Sequence, residues 1–287
     1  MFYFTKNLIR HLIPDSIWLR YLYRKRIGKK LNLKNPQTFN EKLQWLKLHD
    51  RKPEYTMMVD KYEVKQYVAE KIGEQYIIPT LGVWDKFDDI DFDSLPNQFV
   101  LKCTHDSGGL IIVKDKDTFD KISAKKKITR CLRRNYFWQN REWPYKNVKP
   151  RIIAEKFMSD SHEEGLFDYK FMCFNGKCKY IFTVTNRYSP KGLNVTFFDT
   201  NWNKQVFERH YKSDLNEINK PKKLDEMVLI AEKLSVGITF DRIDLYEIDG
   251  KIYFGEITFF PGSGCEEFNP EEWDKTLGDC LELSNNI

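Results

Sequence analysis

Residues 240–260, FDRIDLYEIDGKIYFGEITFF, constrain this chain more than any other stretch, because they read as two strands joined at Asp249 and Gly250 with charges set into an apolar pattern. Successive side chains of a strand point to opposite faces, so Arg242 shares a face with Asp244, and Glu256 with Thr258. A carboxylate in such a run needs a compensating group, since an unpaired buried charge is strongly unfavourable or gives up its ionisation. Two turn geometries bear on where that group lies. A two-residue turn at Asp249 and Gly250 pairs Ile248 with Lys251 and sends Asp244 and Glu256 to opposite faces. A three-residue loop over 248–250, with glycine in the left-handed position of a bulge, brings them to one face. Two carboxylates and a hydroxyl together suit a hard divalent cation such as magnesium, so the three-residue loop is the expectation. A surface salt bridge from Arg242 to either acid is the plainer alternative.

With 287 residues, 41% of them hydrophobic and no repeat or low-complexity tract, the chain has material for one large or two modest domains. No stretch approaches the ~20 apolar residues of a membrane span and no leader pattern is visible, which reads as a cytoplasmic protein. The six cysteines are scattered without CxxC spacing, and the five histidines form no HExxH, so zinc chemistry has no support. Charge is uneven. Residues 1–52 hold 13 Lys and Arg against 3 Asp and Glu, leaving the remainder net acidic. The segment IWLRYLYRKRIGKKLNL reads as a basic amphipathic helix, suited either to packing on the main body or to peripheral contact with a membrane or an anionic polysaccharide. No nucleic-acid motif accompanies it.

Thr38 or Asn40 is an N-cap candidate ahead of Leu43, Leu46 and Leu48, and Val64, Val68 and Ile72 mark a helix that stops at Gly73. Lys-rich residues 124–134 and residues 224–234 read as further helices. Strand-like runs include QFVLKCT, GLIIVKD, RIIAEKFM, DYKFMCF and NVTFFDTNW. Strands grouped in hairpins with helices between them indicate an α+β fold.

Two further pieces have chemical character. In FVLKCTHDSGGLIIV a strand carries Lys102 into Ser107, Gly108 and Gly109, which suits either a phosphate cradle or an ordinary hairpin turn. In RIIAEKFM and DYKFMCFNGK, Glu155 and Lys156 end one strand and Asp168 and Lys170 lie on the next, compatible with an adenine slot and a ribose-binding acid.

Together with NPQTFNEKLQWLKL, VDKYEVKQYV and FGEITFFPGSG, these segments resemble the TupA-like branch of the ATP-grasp superfamily from about residue 35 to 278. The resemblance implies two α+β subdomains holding ATP between antiparallel sheets: 56–156 and 157–287, after a basic helical region 1–55. It implies Lys61 and Lys102 as phosphate-binding lysines, Ser107, Gly108 and Gly109 as a loop over the triphosphate, Glu155, Lys156 and Phe157 as the adenine-contacting hinge, and Asp168 as the ribose acid. It further implies Arg242, with Lys102 and Lys170, in catalysis, Asp244, Glu256 and Thr258 as ligands of two magnesium ions, and Arg187 with Gly262, Ser263 and Gly264 around the substrate. Thr258 departs from the usual asparagine, a poorer fit to a second metal.

The activity implied is ATP-dependent ligation of a carboxylate to an amine through an acyl phosphate, with an amino acid and a uronic acid or acidic component of a surface polysaccharide as partners. Two other classes stay open: a glycosyltransferase using the Asp-x-Asp spacings of DDIDFD at 88–93, and a non-catalytic nucleotide-binding protein.

Overall fold

The computed structural model describes residues 11–159, 167–186 and 192–283. Its elements in chain order are α1 (Asp15–Ile27), α2 (Phe39–His49), α3 (Glu54–Val59), α4 (Val64–Ile72), β1 (Thr80–Trp84), β2 (Phe99–Cys103), β3 (Leu110–Val113), α5 (Lys121–Leu132), α6 (Phe137–Asn140), β4 (Ile152–Lys156), β5 (Asp168–Phe174), β6 (Lys177–Thr185), β7 (Asn194–Asp199), β8 (Glu208–Arg209), α7 (Leu224–Leu234), β9 (Phe240–Ile248), β10 (Lys251–Thr258), β11 (Phe268–Asn269) and α8 (Glu272–Asp279). The strands form a four-stranded sheet ordered β1-β4-β2-β3, a five-stranded sheet ordered β10-β9-β5-β6-β7 and a ribbon of β8 and β11, with antiparallel pairing throughout. This is the expected α+β architecture.

Local chemistry accounts for the boundaries that position the site. Thr38 is the N-cap of α2: its hydroxyl accepts from the Glu41 amide and the Glu41 carboxylate accepts in return from the Thr38 amide, a capping box. Helix α4 buries Val64 and Val68 and ends at Gly73, whose φ of +113° few other residues tolerate.

Each sheet has its own apolar core. Phe99, Leu101, Val113, Ile152 and Ala154 of the smaller sheet pack with Ala124, Ile128 and Cys131 of α5. Alternation then puts Val100, Lys102, Ile153 and Glu155 on the other face. The larger core gathers β5, β6, β9 and β10 with α7, and also takes in α2, α3 and α4 through Leu43, Leu46, Tyr55, Val64 and Val68. The boundary drawn at residue 56 therefore separates sequence segments whose apolar side chains share a core.

A parallel bridge between Ile77 and Phe254 brings the chain entering the smaller sheet against the edge strand of the larger one. Helix α1 buries Leu19 and Tyr23 against Leu31 and leaves Ile17 and Tyr21 exposed. Part of its positive charge is used internally, since Arg20 donates to the Leu31 carbonyl and Arg26 to Asn140. No helix among the described residues is long and apolar enough to cross a membrane.

The turn between β9 and β10 corrects the sequence expectation. Ile248 pairs with Lys251, so the loop has two residues, Asp249 and Gly250, both at positive φ as a mirror-image hairpin turn requires. Asp244 and Glu256 nevertheless share a face. The register slips between Phe254 and Glu256, and the unpaired residue is Gly255. This β-bulge puts Phe254 opposite Leu245 and Glu256 opposite Asp244, where an unbroken strand would have kept residues 254 and 256 on one face. The carboxylates meet through the bulge, while the turn alone would have parted them.

Candidate active site

One wall is built from the smaller sheet and the start of α4. Asp60 is buried, and its Oδ1 accepts from the amides of Tyr62 and Glu63 while Oδ2 takes the Arg151 guanidinium at 2.7 Å. That anchoring fixes the next residue. The Lys61 amide donates to Thr104 O, and its ammonium donates to Asp106 O at 2.9 Å, with Glu256 Oε2 at 4.0 Å. One helical turn on, Lys65 meets Glu155 Oε1 at 2.5 Å, and Lys102 meets Glu155 Oε2 at 2.6 Å. Burial alone would raise the Glu155 pKa, but Lys102 and Lys65 hold it below the usual carboxylate range. Lys61, Lys65, Lys102 and Glu155 line a narrow recess with Ile77, Ile78, Phe254 and Gly255.

The facing wall is a transverse row of the larger sheet. Strand register places Glu256, Asp244, Lys170 and Phe182 side by side on β10, β9, β5 and β6, with Thr258 opposite Arg242. Arg242 grips Asp244 with two hydrogen bonds, of 2.6 and 2.7 Å, and reaches Glu256 Oε1 at 3.0 Å. Lys170 bonds Asp244 and lies 2.6 Å from Asp168 Oδ2. Thr258 donates to Glu256 Oε1 at 3.4 Å. Burial pushes Asp244 upward against the pull of Arg242 and Lys170. Burial would raise Glu256 too, yet Lys61, Arg242, Lys170 and Lys102 bring it down to about 2, and its side chain stays 41% exposed to the cleft. An ionised, accessible carboxylate beside a buried one, flanked by four cations, is a site built for polyanion and metal charge together.

The sequence matches the profile of the TupA-like ATP-grasp family over residues 41–282. The chain belongs to that family. A comparison with curated protein sequences gives no match. Solved structures similar to this ATP-grasp chain include D-alanine–D-alanine ligase from Helicobacter pylori, 18% identical over 86% of this chain and 70% of that one, with a TM-score of 0.45. Others are D-alanine–D-alanine ligase from Bacillus anthracis, 18% identical over 71% and 57% with a TM-score of 0.41, and the ATP-grasp ligase PsnB complexed with minimal precursor, 12% identical over 84% and 66% with a TM-score of 0.41. The chain thus spans little more than half the length of the Bacillus anthracis enzyme.

In this ATP-grasp chain the glycine loop follows Asp106, whose carbonyl accepts from the Lys61 ammonium. Gly109 is buried against Cys103, whose Cβ and Sγ would lie 2.9 Å from an added Cβ, and Gly108 holds a φ of +105° in open space. Ser107 and Gly108 are exposed, while Asp106 beneath them is buried and paired with Arg134. At the end of β4, Lys156 is exposed and Phe157 half-buried; the Glu155 side chain points at the two lysines. Asp168 opens β5 beside Lys170.

The 261–264 turn is largely buried. Ser263 and Gly264 are buried: the Ser263 hydroxyl bonds Glu142, Gln44 donates to the Ser263 and Gly264 carbonyls, and Lys47 donates to Ser263 O at 2.8 Å. These contacts fasten the turn to α2 and leave only Gly262 exposed. Arg187 lies outside the described residues. The acidic run 88–93 exposes its aspartates at the surface, where Asp88 pairs with Lys125.

One contributor, Lys65, escaped the sequence reading, although it follows Lys61 at helical i+4 spacing.

Among the described residues no three His, Cys, Asp or Glu side chains converge into a ready-made metal cage. The donors do fit magnesium of the kind that takes one or two carboxylates and completes its shell with substrate phosphates: Asp244 and Glu256 are hard oxygen donors paired across the sheet, with the Thr258 hydroxyl beside them.

Proposed function

We propose that this ATP-grasp protein is an ATP- and magnesium-dependent carboxylate–amine ligase that joins an amino acid to a uronic acid or other acidic component of a surface polysaccharide. Family membership supports ATP-dependent carboxylate–amine ligation in general. The observation that carries the reading is the bulge-made pairing of Glu256 with Asp244, facing Lys61 across the cleft.

Lys61 and Lys102 would meet phosphate oxygens, and the exposed loop amides around Ser107 and Gly108 would approach them. Asp244 and Glu256, with Thr258 beside them, would hold magnesium, which supplies neutralisation of phosphate charge and a template for in-line transfer. Arg242 and Lys170 now neutralise these acids. With magnesium held there, their guanidinium and ammonium would be free to stabilise the γ-phosphoryl group in transfer. A substrate carboxylate oxygen forms a bond to the γ-phosphorus as the bond to the β–γ bridging oxygen breaks, releasing ADP. An amine nitrogen then attacks the acyl carbon, inorganic phosphate departs with the bonding pair, and the ammonium proton passes to solvent.

The test is ADP release from protein, ATP and magnesium with panels of uronic acids and amino acids. Release that requires both an acid and an amine supports the ligase. ATP binding that never leads to ADP supports the non-catalytic alternative.

A further inference from the structure

Helix α1 uses one side for packing and leaves the other open. Leu19 and Tyr23 form a small core with Leu31, and Arg26, one turn on, reaches Asn140. Around the helix the pattern reverses: Ile17, Arg20, Tyr21, Arg24 and Lys25, spaced i, i+3, i+4, i+7 and i+8, form one stripe and are all exposed. Ile17 is 58% open to solvent and Tyr21 54%, and Leu12, just ahead of the helix, is 80% open.

The charge on this stripe is unopposed. Arg20 is tied to the Leu31 carbonyl, whereas the Arg24 and Lys25 side chains make no hydrogen bond or ion pair among the described residues. Asp15 is the one acid between residues 11 and 40, and Arg51 and Arg141 each hold it at 2.8 Å. The ten residues ahead of the described chain, MFYFTKNLIR, have the same composition, with Phe2, Tyr3, Phe4, Leu8 and Ile9 beside Lys6 and Arg10 and no acid.

Exposed cations by themselves make an ordinary solvated face, and single exposed apolar side chains are common on any surface. Here the two are interleaved on one stripe. A soluble polyanion would engage the cations and leave Ile17 and Tyr21 in water. A protein partner would bury those two, but the centre of such an interface is depleted of lysine. An anionic bilayer uses both, because headgroup phosphates meet the cations, the aliphatic groups enter the acyl boundary and a tyrosine suits the level between them.

We propose that α1 is a membrane-docking surface that seats the protein on a bilayer rich in anionic phospholipid, with Ile17 and Tyr21 entering the headgroup layer and Arg24 and Lys25 meeting phosphates. The helix has 13 residues, too few to span, and lies along the bilayer plane. None of the residues lining the recess around Lys61 and Lys102 comes from α1, so docking and nucleotide binding use separate surfaces.

Co-sedimentation tests it, with vesicles of phosphatidylcholine alone and of phosphatidylcholine carrying about 30% phosphatidylglycerol, at low salt. The wild-type chain should pellet with the anionic vesicles and stay in solution with the neutral ones. Arg24→Gln with Lys25→Gln should weaken binding at least about ten-fold, since each basic residue near an anionic leaflet contributes roughly five-fold. Ile17→Gln with Tyr21→Gln, which keeps a good helix former and all the positive charge, should also weaken it about ten-fold. Matched melting temperatures, and unchanged affinity for a non-hydrolysable ATP analogue by titration calorimetry, show that both double variants fold. A wild-type chain that ignores anionic vesicles, or binds neutral ones equally well, overturns the proposal. So does binding that survives either pair of changes: survival of the first moves the contact to another part of the chain, and survival of the second makes the stripe a plain polyanion surface.

Discussion

Glu256 stands directly across the sheet from Asp244, one residue out of step with the turn that joins their strands, because Gly255 bulges from β10. Leaving Gly255 unpaired, where an in-register Gly255 would sit opposite Asp244 and turn Glu256 to the other face, is what pairs the two acids. It also leaves Phe254 inside the core, so the strand satisfies a buried aromatic and an open carboxylate at adjoining paired positions.

Deleting Gly255 should therefore be tolerated at the site. Residue 256 would then follow Phe254 in unbroken register and still face Asp244 across a two-residue turn. The expected outcome is analogue affinity within about three-fold of wild type by calorimetry, since register and not strand length sets the face. Loss of binding in a folded deletion variant would mean that the bulge acts by aiming the strand.

Glu155 divides its two oxygens between Lys65 and Lys102 and is 7% exposed, so Glu155→Gln removes the charged partner of both lysines and leaves Lys65 only the Ile78 carbonyl. Chemical denaturation should show a loss of about 3–5 kcal/mol. Lys102→Ala leaves the Lys65 pair intact and should cost less stability, while nucleotide affinity falls with the lost positive charge. Since Glu155 titrates below its unfolded value, its contribution is present above the ordinary glutamate range and is lost as pH falls through the folded value.

Asp241 gives the opposite sign. It is fully buried beside Cys173, and burial pushes its pKa up to about 7 against the opposing pull of the Ser235 hydroxyl. The folded state therefore keeps a proton that the unfolded chain releases near pH ~4. Wild-type stability relative to Asp241→Asn should drop by about 1.4 kcal/mol per pH unit from ~4 to ~7 and stay level above. Parallel stability–pH curves for the two proteins would show that Asp241 is ionised in the fold.

Much of this was legible in the sequence where local rules govern. Thr38 was one of two N-cap candidates, with Asn40, and proved to be the cap; Val64 to Gly73 spelled a helix and its stop, and alternation assigned Arg242, Asp244, Glu256 and Thr258 to their faces strand by strand. Joining the faces was harder, because a bulge leaves the sequence looking like an ordinary strand with a glycine in it. The Lys65–Glu155–Lys102 triad depends on which strands lie side by side, and sequence spacing does not encode that. The burial of the 261–264 turn comes from Gln44 and Lys47 on a helix more than 200 residues earlier, which the turn's own residues do not announce.

The central claim is that Glu256, held near pKa 2 and so ionised throughout the working range, holds metal charge against ATP. ADP release at saturating magnesium, compared for wild type and Glu256→Gln of matched melting temperature, tests it most directly. The account predicts that Glu256→Gln folds as wild type does and loses at least about 100-fold in turnover, because shape is kept and a required charge is removed. A well-folded Glu256→Gln variant that releases ADP at the wild-type rate would contradict it.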